Sequence, residues 1–595
     1  MKENILFPYK EIRKTQDSLI NDVLECLTSK KHLIAHVPTG VGKTAGVLAP
    51  LLKYAIENKL TIFFLTPKHT QHKIVIETLK LIKEKYKINI VVADFIGKRH
   101  MCLQQNASSL GNAEFHDFCN HLVENKTCEF YEKFHLNKNS YFPDYMKNLS
   151  PSAVEKIIEI GRENSFCPYE INAELARNAN VIIADYMHIL SPYIRDHFFK
   201  KINKDLDDSI LIFDEAHNIN EKARELLTLN LSTYLLELAI KEAKKFQFPI
   251  IEDLENIKNI LIELNKKIPD KGSEILINKE DFSGKIFNYP ELNNNLDYYS
   301  EIVLDTQKRS FIHNISNFLR NWLGKDESFI RILNHDYLKN NTLFNINLNY
   351  KCLDPSLITK PLIENSKLVI CMSGTLTPTL MYKDLLGFNE VKLVEYETPF
   401  PKENQINLIV PNITTKFTLR NKFMYKRIAK ECADIVNITP GNSIVFFPSY
   451  DLMNSIYDDF VKLSDKTIFR ETKNISKLEK EELIEKFKSF SRIGSTLLAV
   501  SSANFGEGID LIGDFLKCVI IVGIPLSKPN LETQELIRYY DKKFGKGWDY
   551  AYTFPAVIKA LQNAGRCIRS ETDKGAIVFL DERYSWPKYL NCFPK

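Results

Sequence analysis

The chain has 595 residues, 44% hydrophobic and 26% charged, which is a globular composition too long for one core and sized for three or four domains. Its 79 Lys and Arg nearly balance 75 Asp and Glu, so the net charge of +4 excludes a global basic field, and any polyanion must be held in a local groove. The opening stretch MKENILFPYKEIRK lacks the apolar core of a signal peptide and no apolar run approaches the ~18 residues needed to span a bilayer, so the expectation is an intracellular, cytoplasmic protein with no membrane partner.

Residues 32–56, HLIAHVPTGVGKTAGVLAPLLKYAI, predict a buried strand, a Gly-rich turn and an amphipathic helix. That order suits a phosphate-binding loop: Gly40 and Gly42 let successive N–H groups and the helix N-terminus face phosphate oxygens. Pro38, Thr39, Gly40, Val41, Gly42, Lys43 and Thr44 are the candidate ATP contacts; Lys43 can reach the β- and γ-phosphates, and the Thr44 hydroxyl can ligate Mg²⁺. Val37 stands where this pattern usually begins with Gly or Ala.

Between this loop and the next acidic motif lies a polar segment that interrupts the α/β rhythm. It carries Cys102, Cys119, Cys128 and Cys167, with gaps of 16, 8 and 38 residues. Unlike Cys371 in LVICMSG and Cys518 in LKCVIIV, which read as core, these four lack an apolar neighbourhood. Eleven cysteines in a reducing compartment do not predict a disulfide framework. Close cysteine pairs typical of structural zinc are missing, although His100, His116 and His121 are possible zinc ligands. Four thiolates can instead hold a 4Fe-4S cluster without fixed spacing, and four incidental thiols are the third reading. Lys98 and Arg99, just before Cys102, are a basic pair and candidate contacts to the phosphates of a polyanion.

SILIFDEAHNI, 209–219, predicts a second buried strand ending in two acids. Asp214 can hold Mg²⁺ while Glu215 orients and deprotonates the attacking water, which together with the loop predicts hydrolysis of a nucleoside triphosphate. An insertion from about 221 to 350 follows, rich in Leu, Ile, Lys, Asn and Glu, and is expected to be mostly helical.

Strand–helix alternation returns in the last third, with strands expected in NSIVFFPSY, STLLAVSSANFGEGIDL, KCVIIVGIPL and GAIVFLDERY. This second layer has no phosphate loop of its own, which suggests a lobe that closes over nucleotide bound by the first. In FPAVIKALQNAGRCIRS, Gln562, Arg566 and Arg569 fall at i, i+4 and i+7, so a continuous helix would project all three from one face toward a γ-phosphoryl group.

IRKTQ, AHVPTGVGKT, FFLTPKHTQ, DEAH, MSGTLTP, FGEGID and QNAGRCIR, in this order, resemble the motifs of superfamily 2 helicases. With CPYEINAELARNANVIIADYMHIL, ETPFPKENQ and TTKFTLR they resemble more narrowly the XPD/DinG group of iron-sulfur DNA helicases, especially its archaeal XPD members, from residue 5 to about 585. The resemblance implies an α/β fold: two RecA-like, doubly wound parallel-sheet lobes with an iron-sulfur insertion and a mostly helical arch. Lobe 1 would span 1–96, 171–220 and 351–402, the cluster module 97–170, the arch 221–350 and lobe 2 403–595. It further implies that Arg13 and Gln16 recognise adenine and its surroundings, and that Asp510 and Gln562 line the nucleotide cleft. His217, Ser373, Gly374 and Thr375 would couple nucleotide to DNA, and Lys43, Asp214, Glu215, Arg566 and Arg569 would carry catalysis. Cys102, Cys119, Cys128 and Cys167 would hold a 4Fe-4S cluster that pins a small insertion beside the point of strand separation. The activity implied is that of a monomeric, Mg²⁺- and ATP-dependent DNA helicase of DNA repair, moving 5′ to 3′ on single-stranded DNA and opening forks or bubbles. Rival readings are an ATP-gated single-stranded DNA clamp and an iron-sulfur damage sensor with little unwinding.

Overall fold

The computed structural model describes residues 5–105, 107–137, 142–269, 273–307, 309–337, 343–506, 511, 513–527 and 529–593. Strands are numbered β1–β17 in chain order. The first sheet is built from β1 (His32–His36), β2 (Thr61–Leu65), β3 (Val92–Asp94), β4 (Val181–Ala184), β5 (Ser209–Asp214), β10 (Leu368–Ser373) and β11 (Val391–Glu395). All its pairs are parallel, in the order β11-β1-β10-β5-β2-β4-β3.

These strands are near-continuous apolar runs because both faces of the sheet are covered. In β2 the alternation is explicit: Ile62 and Phe64 join the core that includes Leu33, Ala35 and Leu48, while Phe63 and Leu65 join the one that includes Ile34, Phe95 and Ile182. Completely burying an aromatic or aliphatic side chain contributes roughly 1.5–3 kcal/mol, so a one-residue register slip, which exchanges the two faces, is strongly disfavoured. Register therefore fixes what stands at the carboxyl ends. His36 pairs with Ser373, and Met372 with Asp214, so the segments that follow β1, β5 and β10 emerge side by side.

The second sheet comprises β12 (Gln405–Ile409), β13 (Ser443–Phe447), β14 (Thr467–Arg470), β15 (Ser495–Val500), β16 (Cys518–Val522) and β17 (Gly575–Leu580). It is parallel, in the order β12-β17-β16-β13-β15-β14. The strands expected in the last third form within it, and Cys371 and Cys518 are buried.

Within the 221–350 insertion the helical expectation is incomplete. Its helices, among them Thr233–Phe246, Ile251–Asn265 and Phe311–Trp322, pack on an antiparallel sheet of β6 (Leu229–Ser232), β7 (Glu274–Leu276), β8 (Phe329–Tyr337) and β9 (Leu343–Cys352), ordered β6-β9-β8-β7. Trp322 is fully buried, and the Arg331 guanidinium sits 5.0 Å from its ring and 4.7 Å from that of Tyr350. Such stacking lets a charged side chain occupy a core without losing all compensation for its lost water. Among the described residues no helix is long and apolar enough to cross a membrane.

Candidate nucleotide site and cysteine cavity

The phosphate-loop expectation is met by local geometry. β1 runs into the turn, and the helix Lys43–Glu57 begins at Gly42, which caps it in the left-handed region at φ +83°. Gly40 has the same φ, and a Cβ there would lie 2.2 Å from the Phe400 ring; one at Gly42 would lie 2.6 Å from Gln16 Nε2. Both positions thus demand glycine for conformation and for space.

Lys43 reaches across to the end of β5, its Nζ 3.5 Å from Asp214 Oδ1 and 3.5 Å from Glu215 Oε1. Burial pulls the Lys43 pKa down, but the two carboxylates outweigh it and hold the amine above its ordinary value. For Asp214 burial dominates and raises the carboxyl, against the pull of Lys43. Glu215 is also penalised by burial, yet Lys43, His217, Lys68 and the Ser373 hydroxyl together lower it. The pair is split in the useful sense: Glu215 is held as a carboxylate, a proton acceptor. Glu215 also adopts φ +56°, a conformation costly for a residue with a Cβ and typical of functional sites. Buried Asp214 Oδ1 has only the long 3.5 Å ion pair with Lys43, so lone-pair capacity is left for a hard cation, and the hydroxyl-bearing Thr44 stands in the first turn of the loop helix.

Behind the carboxylates lies a chain of hydroxyls and amides. Ser373 Oγ donates to Glu215 Oε2 at 2.9 Å and lies 2.8 Å from His217 Nδ1. Its one proton is spent on Glu215, so it accepts from His217, which fixes the Nδ1–H tautomer. Thr375 Oγ1 lies 3.3 Å from His217 Nδ1 and accepts from Gln562 Nε2 at 3.4 Å. Gly374, between them, brings its backbone against the loop, with Thr39 N and Val37 O 3.7 Å from where its Cβ would be. The four coupling residues read from the sequence therefore meet in one place, and Gln562 joins them from the second lobe.

Other expectations are placed differently. Arg13 donates to the Gly40 carbonyl and pairs with Glu571 at 3.4 Å, while Gln16 donates to the Gly42 carbonyl at 3.1 Å. Both touch the phosphate loop itself. The continuous helical face expected for Gln562, Arg566 and Arg569 is not formed: the helix Phe554–Ala564 ends at Gly565. Gly565 sits at an ordinary φ of −64°, and beyond it Cys567 and Ile568 turn into the lobe 2 core, which redirects the chain. Arg566 is buried and donates to the Gly506 carbonyl; the Arg569 backbone N–H donates to Asp573 at 2.9 Å. Asp510 lies outside the described residues.

Cys102, Cys119, Cys128 and Cys167 come from four separate segments and line a single cavity, whose other walls include Phe115, Leu122 and Phe130. Burial raises the Cys102 thiol and pushes Cys167 up to about 12. Four sulfurs around one space with apolar walls fit a thiolate-bound iron-sulfur cluster by donor chemistry. Lys98 is turned into this cavity instead of toward solvent. Burial alone would lower its pKa, but the Cys119 thiol and Tyr169 hold it above the ordinary value, and its Nζ stands 4.9 Å from the Tyr169 ring centre. Arg99 donates to the Leu110 carbonyl, so both basic side chains expected at DNA are engaged within the module here.

Sequence reading gave no role to Phe400, whose ring belongs to the lobe 2 core yet covers Gly40 of lobe 1. The TPFP stretch was the available signal. Tyr193, Phe417 and Trp548 are exposed by 74%, 82% and 49%.

Two family models match the chain: DEAD_2 over residues 64–236 and the helicase C-terminal domain over residues 432–595. The ATP-dependent DNA helicase XPD of Sulfolobus acidocaldarius is 26% identical, over 98% of this chain and 98% of its own. The general transcription and DNA repair factor IIH helicase subunit XPD/RAD3 of Saccharomyces cerevisiae is 24% identical, over 98% of this chain and 87% of its own. Among solved structures, an XPD helicase superposes with a TM-score of 0.65 at 24% identity, covering 98% of both chains, and Xpd4 of S. tokodaii with 0.62 at 17%, covering 96% of both. By the two family models together with these relatives and structural neighbours, the chain belongs to the XPD/Rad3-type helicase family.

Proposed function

We propose that the chain is an ATP-dependent DNA helicase that moves 5′ to 3′ along single-stranded DNA and separates duplex at forks or bubbles, in DNA repair. The observation that carries this reading is the hydroxyl chain from Glu215 through Ser373, His217 and Thr375 to Gln562, which joins the group that senses the γ-phosphate to the second lobe.

ATP would lie on the N–H groups of residues 38–44 with Lys43 on its β- and γ-phosphates. Mg²⁺, held by Thr44 and Asp214, would supply charge neutralisation at the phosphates. Glu215 orients the attacking water and accepts its proton. Phosphoryl charge draws the Lys43 amine away from the two carboxylates, which alters the hydrogen bonds Glu215 makes with Ser373. That change passes along the chain to Gln562 and sets the lobe spacing. Arg566 and Arg569 act from the second lobe on the charge that develops at the γ-phosphate.

Cys102, Cys119, Cys128 and Cys167 would hold the 4Fe-4S cluster, whose role is to staple their four segments into a rigid wedge. Tyr193, Phe417 and Trp548 are exposed rings on which bases can stack, a contact worth about 1–3 kcal/mol per base. Single-stranded DNA should therefore stimulate ATP hydrolysis by roughly an order of magnitude or more, since lobe closure serves both ligands. Steady-state ATPase assays with and without single-stranded DNA test this; a rate indifferent to DNA contradicts it.

A further inference from the structure

Away from the nucleotide site and the cysteine cavity, His69, His72 and Asp94 form a second ligand set. One donor atom of each lies within 4.8 Å of the others, the only such group of three among the described residues. The helix His69–Tyr86 starts just after Lys68, and His69 and His72, at i and i+3, are neighbours one turn apart with ring centres 5.2 Å apart. Asp94 ends β3, two strands over from β2. His72 and Asp94 are 3% and 1% exposed, whereas His69 is exposed.

Asp94 is oriented from both sides. Its Oδ1 lies 2.6 Å from His72 Nδ1, and its Oδ2 accepts the Val154 N–H at 2.9 Å. Its backbone carbonyl accepts from Asn172. One aspartate thus joins the first turn of the helix after β2 to the two helices that flank the last cysteine, Val154–Asn164 and Pro168–Arg177.

We propose that His69, His72 and Asp94 bind a divalent first-row transition ion of the zinc class. Two imidazoles and one carboxylate are a donor set for such ions, with a fourth position left to water. Metal–ligand bonds of about 2.0–2.1 Å put tetrahedral donors about 3.3 Å apart. The His72–Asp94 pair must therefore open slightly, the metal replacing the proton they share, and His69 must swing inward, which its exposed position permits. Bound there, the ion clips the turn after Lys68 to the cysteine module. Lys68 is one of the charges that hold Glu215 ionised, so the clip ties the wedge to the edge of the nucleotide site.

The test uses the full chain with its iron content verified, purified anaerobically, dialysed against EDTA and titrated with Co²⁺ in the absence of nucleotide. The proposal predicts one Co²⁺ per chain with ligand-field bands in the visible and no thiolate charge-transfer band, and a loss of affinity of at least tenfold in His69→Ala. His69 is exposed, so this variant keeps the fold, which circular dichroism and unchanged iron content verify. Asp94→Asn, which keeps the shape but not the charge, should weaken binding similarly. Absence of Co²⁺ binding, equal binding in wild type and His69→Ala, or thiolate bands showing the ion at cysteine would each overturn the proposal.

Discussion

Ser373 Oγ donates to Glu215 Oε2 at 2.9 Å, so a residue at the end of β10 holds the carboxylate at the end of β5. Ser373 ends one strand of the first sheet and Glu215 directly follows another, but the same hydroxyl accepts from His217 and is two residues from Thr375, which Gln562 of the other lobe contacts. Ser373 is therefore where hydrolysis and lobe movement share an atom.

Ser373→Ala removes that atom and leaves the loop, Lys43 and both carboxylates. A hydrogen bond to a charged group contributes about 1.5–3 kcal/mol, so ATP hydrolysis should fall by roughly 10- to 150-fold at most. Unwinding should fall further than hydrolysis does. Measuring both on one preparation checks this; equal losses would make Ser373 part of the chemistry alone.

Lys43→Ala and Glu215→Gln separate binding from turnover. The first deletes the cation that reaches both carboxylates and should weaken nucleotide binding along with abolishing turnover. The second keeps the phosphate cradle and removes the proton acceptor, so a fluorescent ATP analogue should bind near wild-type affinity while kcat falls by about 10²-fold or more. Normal turnover in Glu215→Gln would remove it from the role of base.

For Arg566 and Arg569, contact with developing charge predicts that either Ala variant lowers kcat more than it raises KM. Arg566 also donates to the Gly506 carbonyl, so its replacement should cost stability as well, which thermal unfolding measures. An unchanged kcat in both would leave them as structural residues.

Cys102→Ser should strip or destabilise the cluster while the lobes still bind and hydrolyse ATP, because the cysteine cavity and the loop are separate sites. Unwinding should fail first. Iron and sulfide assays with strand separation on the same sample decide it; full unwinding by protein without iron would take the cluster out of the mechanism.

How legible these features were depended on the range of the interactions behind them. Residues 37–44 and 209–217 announce themselves because a Gly-rich turn and paired acids after apolar strands are local requirements of phosphate chemistry. The four thiols were legible as a set because each lacks the apolar flanks that Cys371 and Cys518 have. That they share one cavity was not, since it depends on how four distant segments pack. The arginine helix failed because periodicity cannot see where packing ends a helix; Cys567 and Ile568 are drawn into the core just beyond its last residue. The sheet of the 221–350 insertion was hidden by its asparagines: in β9, Asn345, Asn347 and Asn349 alternate with the buried Ile346, Leu348 and Tyr350 in a stretch whose composition reads as polar. Phe400 over Gly40 joins residues 360 positions apart; the TPFP stretch marks the ring, but its partner follows only from how the two lobes pack.

The most direct test is strand displacement by iron-replete protein on duplexes with a 5′ or a 3′ single-stranded overhang. A 5′-to-3′ helicase displaces the strand with ATP and Mg²⁺ on the 5′-overhang substrate, not on the 3′-overhang substrate, and not when Glu215→Gln is used. Failure of iron-replete wild-type protein to separate either duplex, or displacement that persists in Glu215→Gln, would contradict it.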